Sequence, residues 1–193
     1  MNLPNMLHLK KEMQEMPGQP ETVALRDGTM VTIRPIRPDD ARRLQALFYR
    51  LSPESISLRF LGHPKELPDA QAEQLANVDY QKRMALVATR KQDGEERIIA
   101  VARYAVDPAG QPDLAEAAIV VEDEYQKRGL GTLLLTRLVA YAQAHGIRAF
   151  MATVDQDNIQ IMRFVRHSGL PTESTLEAGT WEIVVKLEPE AEH

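Results

Sequence analysis

The chain has 193 residues, 44% apolar and 26% charged, with a net charge of −5 and no cysteine. That length and balance suit one soluble globular domain with a sizeable core. The acidic balance argues against nucleic acid as a general partner, since such binding needs Lys and Arg to neutralise phosphates, and the lack of cysteine excludes disulfides, thiolate metal sites and a cysteine nucleophile.

Residues 1–20 are rich in Met, Gln, Lys and Glu and close on Pro17-Gly18-Gln19-Pro20, so they read as an extension, either a short helix over 7–16 or a frayed tail. They lack the apolar stretch of a signal peptide, and no run nears the roughly 20 residues of a membrane span, so a cytoplasmic location is expected. From Glu21 the pattern is strand-like. Val23 and Leu25 lead to Asp27-Gly28, and Met30-Val31-Thr32-Ile33-Arg34 alternates beyond it, which predicts a hairpin. Pro38-Asp39-Asp40 starts a predicted helix over 41–51 with Leu44, Leu47, Phe48 and Leu51 on one face, and Ser52-Pro53-Glu54-Ser55 starts a second, short one. Pro68-Asp69 opens a third over 70–77. The period then changes to that of strands at 84–89, 97–106 and 114–121. A helix over 131–145 ends at Gly146, a strand follows at 149–154, and a helix over 158–168 ends at Gly169. Strands at 174–176 and 180–187 precede an acidic tail, 189–193. Residues 21–188 are thus expected to form one α/β domain, a mixed sheet with helices on both faces.

The richest stretch is Val120-Val121-Glu122-Asp123-Glu124-Tyr125-Gln126-Lys127-Arg128-Gly129-Leu130-Gly131-Thr132, which runs from an apolar strand through an acidic and then a basic turn into a helix. Glycines let the backbone approach a ligand, and the helix start adds free N–H groups and its positive dipole end. Such a turn suits a phosphate or pyrophosphate. A P-loop is disfavoured, since Gly-x-x-x-x-Gly-Lys-[Ser/Thr] does not occur. A dinucleotide turn lacks its third glycine, where Leu134 stands, but Asp155 does end the next strand, so that reading is weakened and stays open. The third reading is Gln-x-x-Gly-x-Gly, met by Gln126, Gly129 and Gly131, which resembles the turn of the GNAT superfamily of N-acetyltransferases.

That resemblance covers about Thr22 to Leu187. Within it, residues 25–40, Leu51-Ser52-Pro53-Glu54-Ser55 with Leu58-Arg59-Phe60, and Ala115-Glu116-Ala117-Ala118-Ile119-Val120 are similar to the acetyltransferase domain of bacterial protein lysine acetyltransferases acting on acyl-CoA synthetases. It implies the GNAT fold, acetyl-CoA as co-substrate and an amine acceptor, a lysine of an acyl-CoA synthetase or another protein. It also implies that the backbone of Ile119, Val120 and Val121 pairs with the pantetheine arm. By the same resemblance Gln126, Lys127, Arg128, Gly129, Leu130, Gly131 and Thr132 wrap the pyrophosphate. Asn158 is implied as a further cofactor contact, although Asp155-Gln156-Asp157-Asn158 equally marks a helix N-cap. Relatives often fuse this domain to an acyl-CoA synthetase-like or cyclic-nucleotide-binding domain, which 193 residues leave no room for. Two positions depart from the pattern: Val165 stands where many members carry a tyrosine that protonates the thiolate, and Leu170 where a phenylalanine is usual.

Acetyl transfer to an amine needs alignment and one proton acceptor. A lysine amine has a reference pKa of about 10.4, and only its neutral form attacks a thioester. Glu116 is the candidate general base, in the strand leading to the turn. Its neighbours Ala115, Ala117 and Ala118 predict a desolvated carboxylate with a raised pKa, against the plainer reading of a solvent-facing strand residue. Backbone N–H groups near Val120 or Val121 are placed to stabilise charge on the thioester oxygen. The histidines His8, His63, His145, His167 and His193 have no metal-ligand spacing, so no metal is expected. Ser55 and Ser168 read as helix-end residues. Arg34, Arg37, Arg42, Arg43 and Arg50 read as a solvated helix face or as acceptor contacts. The functional expectation is an acetyl-CoA-dependent N-acetyltransferase acting on a protein lysine; the alternatives are a small amine acceptor or a catalytically silent acyl-CoA-binding module.

Overall fold

The structure is a computed structural model that describes residues 19–60 and 64–188. The helix expected over 7–16 and the acidic tail 189–193 lie outside the described residues. The strands are β1 (Glu21–Ala24), β2 (Met30–Pro35), β3 (Arg83–Gln92), β4 (Glu95–Val106), β5 (Leu114–Val121), β6 (Ala149–Asp155), β7 (Thr172–Glu177) and β8 (Thr180–Lys186). They form one eight-stranded sheet in the order β1-β2-β3-β4-β5-β6-β8-β7. Among the described strands, only β5 and β6 pair in parallel, joined by a crossover helix. Helices α1 (Ala41–Phe48), α2 (Pro53–Phe60) and α3 (Asp69–Ala76) precede β3; α4 (Leu130–Ala144) links β5 to β6, and α5 (Ile159–Ser168) links β6 to β7.

Strand alternation divides the core into two. Ala85, Val87, Ile98 and Val101 pack with Ile36, Leu44, Leu47 and Phe48 beneath α1 to α3. Ala100, Ala102, Tyr104 and Ala115 point the other way, against Leu130, Leu134 and Leu138 of α4. The central strands are therefore apolar on both faces, and each fully buried leucine of α4 contributes about 1.5–3 kcal/mol. β3 and β4 extend further than their apolar runs predict. Asp93 (φ 52°) and Gly94 (φ 84°) form a two-residue turn that carries pairing to Gln92 and Glu95.

The basic stretch is not a uniform solvated face. Arg34 is only 2% exposed: it donates to both oxygens of Asp40 (2.7 and 2.9 Å) and both of Glu96 (3.2 and 3.0 Å). Asp40 also accepts the Arg37 N–H at 2.9 Å, so the network pins the start of α1 to the sheet. Arg50 likewise turns inward to the buried Glu122. Alternation in β2 puts Arg34 on an inward position, and a guanidinium can be buried there because its donors all meet acceptors.

Candidate active site

The parallel pairing of β5 with β6 is brief: Leu114, Ala115 and Glu116 register with Ala149, Phe150 and Met151, and the ladder stops. Beyond it β5 stays bonded to β4 as far as Val121, and β6 to β8 as far as Asp155. The two strands splay into a wedge, closed at Glu116 and Met151. Its facing edges carry backbone donors and acceptors that an extended ligand arm can join as an added strand. Ile119, Val120 and Val121 lie along one such edge.

At the open end stands the glycine turn. A short 3-10 turn (Asp123–Tyr125) is followed by Lys127 (φ 60°) and Gly129 (φ 89°), and α4 begins at Leu130. The first intrahelical bond runs from Leu133 N–H to Gly129 O at 3.0 Å. The N–H groups of Leu130, Gly131 and Thr132 therefore point out of the helix start without intrahelical acceptors. Gly129 needs its glycine for the left-handed backbone. Gly131 does not: its φ is ordinary, and a Cβ there would touch only Ile119 Cδ1 and Val121 Cγ2, both at 3.7 Å. Neither conformation nor packing within the chain demands glycine at 131. The turn and the helix start offer free N–H groups suited to an anion, and the strand edge beside them offers pairing groups to an extended chain.

The β1–β2 hairpin adds charge to this end. Arg26 N–H donates to Arg128 O at 3.3 Å, and Arg128 pairs with Asp27 at 2.5 Å. The Thr29 N–H, helped by the Arg128 charge, holds the Asp27 carboxyl below its ordinary range. The Arg26 side chain lies against Gly129, its Nε 3.2 Å from the place of a Cβ. Arg26 was not among the expected site residues, since it is about a hundred positions from the turn in sequence and only the folded hairpin brings it there.

Gln126 turns inward. Its Nε2 donates to Ser55 Oγ (3.0 Å) and Val121 O (3.1 Å), and its Oε1 accepts from Gln160 at 3.4 Å. Ser55 is a helix-end residue as expected, but it also donates to Asp123 Oδ1 at 2.9 Å, an acid partner 68 positions away. Asn158 caps α5 by accepting the Ile161 N–H at 3.3 Å, which sets the N-terminus of α5 at the wedge. Val165 lies half-buried on α5.

Glu116 is exposed, and this corrects the expectation of a desolvated carboxylate. Ala115 and Ala117 point to the α4 face and cannot shield it. Glu116 shares the opposite face with Arg103, whose strand partner is Ala118. Arg103 donates to Leu75 O at 2.6 Å, and burial, then the Arg59 and Arg83 charges, push its pKa down to about 10. Burial also lowers Arg59, against the opposing pull of Glu116. A cleft of about 390 Å³ opens beside the wedge, between Pro53, Glu54, Ser57 and Leu58 of α2, Asp155 at the end of β6 and Asp157 just beyond it. Among the described residues, no group of three or more His, Asp or Glu is placed to hold a metal ion, and no helix is long and apolar enough to cross a membrane.

Residues 47–170 match the family model described as Acetyltransferase (GNAT) family. The chain is 39% identical over 140 residues to Acetyltransferase PA5475 of Pseudomonas aeruginosa, covering 72% of this chain and 74% of that protein. It is 32% identical over 150 residues to Acetyltransferase Pat of Mycolicibacterium smegmatis, covering 78% of this chain but 44% of Pat. The structure of the GNAT domain of S. lividans PAT superposes with a TM-score of 0.76 at 31% identity, over 86% of this chain and 96% of that one.

Proposed function

This chain belongs to the acetyltransferase (GNAT) family and uses acetyl-CoA, and we propose that its acceptor is a lysine side chain of a protein, with Glu116 as general base. The observation that carries this reading is the position of Glu116. It closes the wedge in register with Met151, faces away from the α4 core, and opens onto a sheet face where Met151 is 42% exposed. An open face admits a side chain carried on a macromolecule, whereas a small amine is held better by an enclosed pocket.

Each residue has a chemical task in this reading. The edge of Ile119, Val120 and Val121 aligns the thioester, and a strand N–H donates to its carbonyl oxygen. Lys127, Arg128, Gly129, Leu130, Gly131 and Thr132 hold the pyrophosphate through backbone N–H groups and positive charge. Gln126 shapes that turn from within, and Asn158 presents the start of α5. Glu116 accepts the amine proton, directly or through one water, as nitrogen attacks the thioester carbon. The nearby cations Arg59 and Arg103 disfavour an ammonium ion and so favour the neutral, attacking amine. An acyl-CoA synthetase lysine is one acceptor of this class, as the sequence resemblance at residues 25–40 and 115–120 implies.

The test is incubation with labelled acetyl-CoA and three acceptor pools: intact proteins, lysine peptides and small amines. Label in protein lysines supports the reading. Label confined to small amines would replace it.

A further inference from the structure

We propose that the sheet face running from Glu116 to the β7 edge is the docking surface for the acceptor, and that it selects a lysine flanked by basic residues. The proposal rests on the lysine-acceptor reading and specifies which lysines are taken.

Register defines the face. Glu116 pairs with Met151, Met151 with Val184, and Val184 with Glu173, so these residues form one row across β5, β6, β8 and β7. Residues paired across strands point to the same side. On the opposite side Phe150, Val154 and Ile183 are buried. On this side Glu116, Met151, Thr153, Glu182 and Glu173 are exposed, because α1 to α3 cover the first half of the sheet and stop short of it. The next rows add Glu182 opposite Thr153, and Glu177 opposite Thr180, itself opposite Asp155. Beyond the Glu116 end, where Arg103 also lies, the strands β6, β8 and β7 put four carboxylates on this face, Asp155, Glu173, Glu177 and Glu182, and among the described strand residues one cation, Lys186, which lies 3.4 Å from Glu173.

The row has the chemistry of a lysine in cross-section. Glu116 meets the amine, Met151 and Val184 offer apolar surface to the methylenes or to a neighbouring side chain, and carboxylates lie beyond. Three strand spacings span about 14 Å, the length of about four extended residues. Basic residues within about four positions of the acceptor lysine therefore reach Glu182, Glu173 and Glu177. The face is continuous with the cleft under α2, since Asp155 belongs to both. Charge complementarity of this kind sets partner choice and on-rate, and it weakens with salt.

The test compares two peptides with the same central lysine, one flanked by arginines and one by glutamates, on wild type and on the Glu173→Gln/Glu177→Gln/Glu182→Gln variant. All three positions are exposed. A Glu66→Gln/Asp93→Asn/Glu95→Gln variant makes the same charge change away from the face. Wild type and this control should show kcat/KM about tenfold or more higher for the arginine-flanked peptide, a preference that shrinks as salt is raised. The face variant should lose most of that preference while its KM for acetyl-CoA holds. Equal use of both peptides by wild type, or a preference that survives in the face variant, overturns the surface and leaves the lysine reading in place. Acetylation of free polyamines with neither peptide modified removes the lysine reading and, with it, the proposed occupant.

Discussion

Gln126 Nε2 stands 3.0 Å from Ser55 Oγ and 3.1 Å from Val121 O, so one amide ties helix α2 to the end of β5 where the glycine turn begins. Asp123 completes the tie by accepting the Ser52 hydroxyl (2.6 Å), the Ser52 N–H (2.9 Å) and the Ser55 hydroxyl. Burial alone would raise the Asp123 carboxyl; these donors outweigh it and hold it below its ordinary range. Helix α2, which lines the cleft at Asp155, and the glycine turn are therefore one hydrogen-bonded unit.

Ser55→Ala breaks that unit, leaving Gln126 without one acceptor and Asp123 without one donor. The expected cost is about 1–3 kcal/mol of stability, read from the urea midpoint. Acetyl-CoA affinity should fall several-fold in calorimetric titration, since the turn loses its brace. An unchanged midpoint and affinity would show that water replaces the serine.

Gly131→Ala separates binding from folding. The new methyl makes only ordinary contacts with Ile119 and Val121, and alanine favours a helix over glycine by up to about 1 kcal/mol. Thermal stability should be equal or higher, while acetyl-CoA affinity drops by about tenfold or more because the methyl stands against the ligand. Retained affinity would move the pyrophosphate elsewhere. Gly129→Ala is the weaker test, since its φ of 89° adds strain of its own.

The Arg34 network predicts acid sensitivity. Burial raises Asp40, but the Arg34 hydrogen bonds, the Arg37 N–H and the Arg34 and Arg43 charges prevail and lower it; Arg34 does the same for Glu96. A carboxylate with a lowered folded pKa contributes stability that is present above its unfolded value, about 3.9 for Asp and 4.3 for Glu, and is lost as pH falls through the folded value. Stability should therefore decline steeply below about pH 4. Asp40→Asn removes the fully buried one of Arg34's two carboxylate partners and leaves Glu96 alone to balance it, which should cost about 1–3 kcal/mol at neutral pH. That gap should narrow on acidification in urea melts; a constant gap would remove the ion pair from the explanation.

Val165→Tyr tests the missing phenol. A thiolate whose conjugate acid has a pKa of about 8.5 leaves without much help, so turnover should change by no more than a few-fold. A hundredfold gain would show that protonation of the leaving group limits the rate.

The parts legible in the sequence are those whose cause is local. An apolar run marked β5, the leucine period marked α4, and Gln126, Gly129 and Gly131 marked the turn between them. What sequence did not show depends on distant partners. Arg26 reaches Gly129 through a hairpin, and Ser55 meets Asp123 and Gln126 only when α2 folds over the end of β5. The exposure of Glu116 is hidden in the sequence for a related reason. Adjacent alanines in a strand point to the other face, so they say little about burial at 116. The uncovered half-sheet is visible only once β7 and β8 are known to pair beyond β6.

The proposed acceptor of the amine proton is Glu116. Glu116→Gln keeps the volume and removes the base, and its effect is read from steady-state rates of wild type and variant between about pH 6.5 and 9.5 on a lysine-containing protein. General-base catalysis is worth roughly 10²–10⁴-fold, about 3–5 kcal/mol of barrier, and the rate at neutral pH should fall by that range with acetyl-CoA affinity unchanged. The deficit should shrink as pH rises toward the amine's reference pKa of about 10.4, since more acceptor is then already neutral. A Glu116→Gln enzyme with near wild-type rates and an unchanged pH profile would contradict the account.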